Sequence, residues 1–448
     1  MTDASAERSD SGAGVLAEHA SEHPEGYGRG ARVLSIGIAA TGLFTFAYFA
    51  LADRVLGDEL YGSVALLWSI LFVVISVLYR PVEQLLSHTI AARRARGLQG
   101  RHPLRLPLAL QCGFAAGFLA VALALRPRLE DLFGGSQALS WVFIGAGVGY
   151  GASYFARGYF AGHQWFGLYG GLVLFESLSR FSFPLAAAVG ITGGQTAVAL
   201  GILAAPLASL LVVPWAITRH SRLDEEAPAP EPEMAARAGA GFALAVAGIQ
   251  LAEQTLLNAG VVIANDVAGA ALAGAVFNAL LITRAPIQLF QAVQTSLLPH
   301  LTGLQETDGH EAFARAIRVT VLTIAAFAGL VALTLLAIGP WMMELVFGTR
   351  EGLEYGRWGL AAVGLGMGAH LMAGTLNQAL LARGRAWTAC AAWALGASAF
   401  VAWMLVGAVD DVLLRAEVGY AACAAVVAMG LLGMSRGPDH GARGLTRS

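Results

Sequence analysis

The sequence predicts an all-α polytopic membrane protein, with about twelve transmembrane helices in two six-helix bundles around a central cleft. Three observations carry that expectation. The chain of 448 residues is 56% hydrophobic and 13% charged, whereas ordinary soluble domains carry about 25% charge. Twelve apolar stretches approach the ~20 residues that a helix needs to cross a bilayer, and the connections between them are short. Four arginines (Arg80, Arg157, Arg180, Arg284) and three carboxylates (Glu83, Glu176, Glu253) fall inside those stretches. A charge in hydrocarbon costs a few kcal/mol even on mild insertion scales, so such residues usually face a watery interior and handle charged cargo or ions.

The elements follow in order. Residues 1–31 are polar and lack an apolar core, so they read as a disordered cytoplasmic tail and not as a signal peptide. Spans at 33–52, 61–86, 106–125, 138–161, 168–190 and 196–217 make an N-terminal six-helix bundle over 32–217. The stretch 218–238, TRHSRLDEEAPAPEPEMAARA, mixes proline and acid, which is the composition of a cytoplasmic linker. Spans at 240–263, 269–295, 319–338, 358–381, 387–408 and 417–434 make a C-terminal bundle over 239–435, and 436–448 form a second cytoplasmic tail.

All 28 basic residues are arginine. With the N-terminus inside, 18 of them lie on the tails and even-numbered loops and only 6 on the odd-numbered loops. Arginine excess marks cytoplasmic loops, so both termini are expected in the cytoplasm. The absence of lysine beside 55 glycines suggests a GC-rich bacterial genome, and with it a bacterial inner or plasma membrane.

The halves look related. Gly62 to His88 can be laid on Gly274 to His300 without a gap, which sets EQLLSH over TSLLPH. Both segments are the second span of their half. Such a parallel repeat predicts a pseudo-twofold axis along the membrane normal.

Polar residues three, four or seven apart share one helix face, and seven spans carry such stripes. They include Thr41, Thr45 and Tyr48; Ser69, Ser76, Arg80 and Glu83; Tyr150, Ser153 and Arg157; and Tyr169, Glu176 and Arg180. The second half adds Gln250, Glu253, Gln254 and Asn258; Arg284, Gln288, Gln291 and Thr295; and His370 with Asn377. Single polar residues can serve as glue between packed helices. Stripes on seven spans with four cations point to an aqueous cleft. Arg284, deep in its span with no local acid, is the leading anion ligand, followed by Arg180, Arg157, Arg80, Gln288, Gln291 and Asn258. Glu253, Glu176 and Glu83 are the candidates for ion coupling. Plainer roles stand beside these. Glu176 and Arg180 can neutralise each other four residues apart. Arg80, Glu83 and Arg157 can snorkel to the cytoplasmic surface, and His370 can be a hydrogen-bonded core residue.

The net charge of −2 argues against nucleic acid as a partner, and Cys112, Cys390 and Cys423 have no metal or disulfide spacing.

Three segments carry a resemblance: LYGSVALLWSILFVVISVLYRPVEQLLSHTIAARRARG (Leu60–Gly97), ARGYFAGHQWFG (Ala156–Gly167) and APIQLFQAVQTSLLPHLT (Ala285–Thr302). With them the chain resembles the multidrug/oligosaccharidyl-lipid/polysaccharide flippase superfamily over roughly 32–435. Its bacterial polysaccharide-biosynthesis branch, the lipid-linked oligosaccharide flippases, is closest. The resemblance implies a fold like that of MATE transporters, and a carrier rather than an enzyme. Its cargo would be a polyprenyl-pyrophosphate-linked glycan, moved from the inner to the outer leaflet through a cationic cavity. It further implies Arg284, Arg80, Arg157 and Arg180 as pyrophosphate ligands, for which guanidinium forks are suited. No cofactor is expected beyond coupling to Na+ or H+. The implied partners are the lipid-linked glycan, the bilayer, and a glycan polymerase or glycosyltransferases, around a monomer. The chain lacks the two extra C-terminal spans of peptidoglycan-precursor flippases. Two alternatives stay open: a cation-coupled multidrug or small-molecule exporter of the same superfamily, and a membrane-embedded glycosyltransferase or glycan ligase. The short outward loops and the lack of a paired-carboxylate or nucleophile motif weigh against the second.

Overall fold

The computed structural model describes residues 24–95, 104–220, 233–284, 286–287, 309–348 and 353–435. Thirteen helices occupy them. The first half holds α1 (Pro24–Leu56), α2 (Asp58–Ala95), α3 (Arg105–Ala124), α4 (Arg126–Leu132), α5 (Gln137–Gly162), α6 (Phe166–Ala188) and α7 (Gln195–His220). The second half holds α8 (Glu233–Ala268), α9 (Ala270–Arg284), α10 (Gly309–Phe347), α11 (Arg357–Ala382), α12 (Ala386–Val406) and α13 (Val412–Ser435). Twelve of these sit on the twelve expected spans.

Eight helices, α1–α3, α8 and α10–α13, are long and apolar enough to cross a membrane. A ninth joins them if α4 and α5, bent by 117°, count as one span. The remaining three are α6, α7 and α9. Helix α6 interrupts its apolar face with Tyr169, Glu176 and Arg180, while α7 and α9 contribute the apolar stretches Gln195–Leu211 and Ala270–Arg284.

Three boundaries depart from expectation. The N-terminal tail is helical from Pro24, a residue whose fixed φ and missing N–H suit a first helical turn; residues 1–23 lie outside the described part. Both ends of the expected linker are helical, because α7 runs to His220 and α8 starts at Glu233. Residues 221–232 and the tail 436–448 lie outside the described part. Helix α13 starts at Val412, earlier than expected, because Asp411 caps it: its Oδ1 accepts from the backbone N–H groups of Leu413 at 2.9 Å and Leu414 at 3.2 Å.

The two halves pack alike. In the first, α1 lies on α6, α6 and α5 on α7, and α3 on α5. In the second, α8 lies on α12, α12 and α11 on α13, and α10 on α11. The connections repeat too. Gly57, between α1 and α2, and Gly269, between α8 and α9, both take a left-handed φ, at 76° and 85°. They stand the same distance apart in sequence as Gly62 and Gly274. At each, the glycine N–H returns to the carbonyl four residues back (Asp53, Asn265) and the glycine carbonyl accepts from four residues on (Tyr61, Ala273). Helices α5 and α11 have 26 residues each. Across the halves, α2 lies along α8 and α1 touches α10. A buried aromatic layer of Phe49, Tyr61, Trp68 and Phe277 fills the space where α1, α2 and α9 meet.

Candidate functional site

The striped faces meet as three hydrogen-bonded groups. The first lies within the first half. Helix α6 turns Glu176 toward α5, where one carboxylate oxygen accepts from Ser153 Oγ and the other from the Arg157 guanidinium. Arg157 also lies over the Tyr154 ring, 4.7 Å from its centre. Tyr169, two turns earlier on α6, donates its hydroxyl to Glu83 Oε1 of α2 at 3.0 Å. Arg180, one turn after Glu176, does not pair with it. It donates to Tyr150 Oη at 3.1 Å and lies over Trp68 at 4.3 Å. The alternative in which Glu176 and Arg180 neutralise each other is therefore not realised. Shared spacing on one helix puts the two on one face, but neighbouring α5 offers Glu176 a guanidinium and a hydroxyl together, and α2 offers Arg180 an aromatic face.

The second group crosses between the halves. Arg80 Nη1 of α2 donates to Gln250 Oε1 of α8 at 2.8 Å. Gln250 Nε2 donates to Glu253 Oε2 at 3.1 Å, and Glu253 Oε1 lies 3.3 Å from His370 Nε2 of α11. The amide of Gln250 is oriented as charge demands, carbonyl to cation and N–H to anion. Arg80, Glu83 and Arg157 thus turn inward to partners and do not snorkel. His370 is buried as expected, yet it also touches a candidate coupling carboxylate, which its position alone did not reveal.

The third group surrounds Arg284. Its Nη2 donates to Asn258 Oδ1 at 2.7 Å and to the Leu257 carbonyl at 3.4 Å, and its guanidinium lies over Phe277 at 4.8 Å. Asn258 is anchored by donating to the backbone and side-chain oxygens of Gln254. Arg284 is 8% exposed, and its Nε has no partner. Neither Glu253 nor Glu176 reaches it: both are engaged elsewhere. Gln288, Gln291 and Thr295 lie outside the described residues.

Two cations, Arg180 in the first half and Arg284 in the second, therefore have only neutral hydrogen-bond partners and aromatic faces among the described residues. Near them Thr41, Thr45, Ser69, Ser76, Ser153 and Asn258 are buried. Two cavities, of about 340 and 460 Å³, lie elsewhere, one between α1, α6 and α10 and the other between α3 and α5. Among the described residues the stripes meet in hydrogen-bonded polar networks, in which Arg80, Glu83, Arg157, Tyr169, Gln250 and Glu253 are only part-buried.

Further buried charges escaped the sequence reading. Asp53 is buried and accepts from Asn278 Nδ2 at 3.1 Å. Arg415 reaches back to the carbonyls of Met404, in the last turn of α12, and Val409, in the connection after it. Glu417 lies against Gly359 at the start of α11. All three stand near helix ends, where sequence alone reads a loop charge.

No protein-family model matches the sequence, and no curated protein matches it. Solved structures do. A multidrug resistance MATE family transporter of the MOP superfamily, in an inward-facing conformation, aligns with a TM-score of 0.70 at 13% identity, over 90% of this chain and 97% of that one. A MOP superfamily transporter from Pyrococcus furiosus, described as having a binding pocket of reverse polarity that suggests a different function, aligns at 0.68 with 14% identity, over 91% and 94%. A eukaryotic MATE transporter aligns at 0.67 with 12% identity, over 91% and 95%. At these identities the likeness is one of fold: the chain has the fold of MATE transporters, as its residues led us to expect.

Proposed function

We propose that this chain is an alternating-access flippase that carries a polyprenyl-pyrophosphate-linked oligosaccharide from the inner to the outer leaflet for cell-surface polysaccharide assembly. One observation carries the reading: Arg180 and Arg284, buried on opposite halves, have no carboxylate partner among the described residues. An unpaired buried cation is costly, and a diphosphate entering between the halves would offset both. Guanidinium forks suit phosphate oxygens. The fold supports a carrier rather than an enzyme, although fold by analogy does not name a cargo.

In this reading the bundles 32–217 and 239–435 rock against each other around a site between them. Both termini face the cytoplasm of a bacterial inner membrane, and the protein acts as a monomer beside a glycan polymerase or glycosyltransferases. Arg157 and Arg80 hold Glu176 and the Gln250–Glu253 pair in register. Glu253 with His370 is the site at which Na+ or H+ binding is coupled to movement. Gln288 and Gln291, on the span of Arg284, complete the cargo site.

A multidrug exporter is the second reading, favoured by the buried carboxylate Glu176 and the part-buried Glu253. Binding separates the two. The purified protein in nanodiscs is titrated with a polyprenyl diphosphate and, separately, with a lipophilic cation such as ethidium. The flippase reading expects tight binding of the first, weakened at least tenfold in Arg180→Ala. Preferential binding of the cation overturns it in favour of the exporter.

A further inference from the structure

We infer that one face of α1 is the gate that closes the Arg180–Arg284 site toward the side bearing the Gly57, Gly269 and Gly348 turns. The inference deepens the function proposed above and takes from it only which side is outside.

Phe46, Phe49, Asp53 and Arg54 lie at positions i, i+3, i+7 and i+8, so they share one face of α1. Each of them touches the second half, in three layers. At the rim, Arg54 donates from Nε to the Val346 carbonyl at 2.9 Å and from Nη2 to the Leu345 carbonyl. These are last-turn carbonyls of α10, which lack helical partners and attract a cation. One layer in, Asn278 of α9 donates to Asp53 and accepts from the Tyr61 hydroxyl; Asp53 is 4% exposed and Asn278 and Tyr61 are fully buried. One turn deeper along α1, about 6 Å at helical rise, Phe49 meets Phe277 at 4.6 Å, and nearly a turn further on Phe46 meets Phe347 at 5.9 Å.

The innermost layer touches the cations themselves. Phe49 stands between Trp68, at 5.7 Å, and Phe277. Trp68 is the ring under Arg180, and Phe277 the ring under Arg284. The two guanidiniums are thus joined by a row of three rings that runs from one half to the other. An anion cannot bridge both cations while the row is intact. Parting the seam between α1 and α9 breaks the row at Phe49–Phe277, and uncovers both cations toward the same side. The polar middle layer makes the closure reversible: its hydrogen bonds can be exchanged for water when the seam opens, whereas a wholly apolar seam would lose burial with no replacement.

Thr45 lies one turn below Phe49 on α1 and is buried, so a cysteine there reports the state of the seam. In a background with Cys112, Cys390 and Cys423 replaced by alanine, the Thr45→Cys protein is treated with a charged, membrane-impermeant methanethiosulfonate. Right-side-out cells and inside-out vesicles are compared. With the seam intact, labelling from outside is slow. Asp53→Ala raises the outside rate at least tenfold. So does Asn278→Asp, which sets two carboxylates against each other in a buried layer and keeps the packing volume should the alanine variant fold poorly. Labelling needs no cargo, so a wrong cargo leaves these results unchanged. A wrong orientation moves the increase to the inside-out vesicles. Folded variants that label no faster than the parent from either side overturn the gate.

Discussion

A side chain on Gly274 of α9 would begin 3.0 Å from the Tyr61 ring and 3.2 Å from the Cα of Gly62 on α2. These are the two glycines that the internal repeat sets over each other. An element beside a twofold axis meets its own equivalent, and here the meeting is backbone against backbone. A Cβ on Gly62 would overlap the carbonyl carbon and oxygen of Ala270.

Gly62→Ala should therefore destabilise the protein by the ~1–3 kcal/mol typical of overpacking, because a backbone carbonyl cannot swing aside. Gly113→Ala, on a helix face with nothing within 4 Å of the new methyl, should be neutral or stabilising. Thermal midpoints in detergent compare them. Equal midpoints would mean that the approach of α2 and α9 is looser than described.

Arg157 and Glu176 should behave as a coupled buried pair. Glu176→Ala leaves a cation without its carboxylate and should cost about 3–5 kcal/mol. The double variant Arg157→Met, Glu176→Leu should recover much of that loss. Thermal unfolding of Arg157→Met, Glu176→Leu and the variant carrying both measures the coupling, and additive losses would contradict it.

The Arg80–Gln250–Glu253–His370 chain joins α2, α8 and α11, so a cation or proton bound at Glu253 would be felt in both halves. Glu253→Gln keeps the volume and removes the charge. In proteoliposomes, the native protein should flip a fluorescent polyprenyl diphosphate several-fold faster under an imposed pH or Na+ gradient. The variant should bind the lipid as before and run at one rate with or without the gradient. A variant that still responds to both gradients would remove Glu253 from the coupling site.

Twelve of the thirteen helices were legible because each is a long apolar run, and lipid forces such a run to satisfy its own backbone. Helix α4 was not: seven residues of mixed charge show no period. The charged residues were also legible as a set, since a charge is conspicuous in an apolar stretch. Their pairing was not. Glu176 lies one turn from Arg180 and across a helix interface from Arg157, and the choice between them depends on how α5 and α6 are rotated. Asp53 and Asn278 escaped for another reason. One stands at a span end, where a carboxylate reads as a loop residue, and the other is a single amide in an apolar helix. Only the fold shows that they meet across the halves.

The central claim is that Arg284 binds an anionic cargo, and surface glycan in cells whose own copy of the gene is deleted tests it most directly. Membrane levels of each variant are measured alongside. Arg284→Lys keeps the charge but loses the two-pronged contact, and should restore export in part. Arg284→Ala should accumulate in the membrane and lower surface glycan at least tenfold. Normal surface glycan from a well-expressed Arg284→Ala protein would contradict the account.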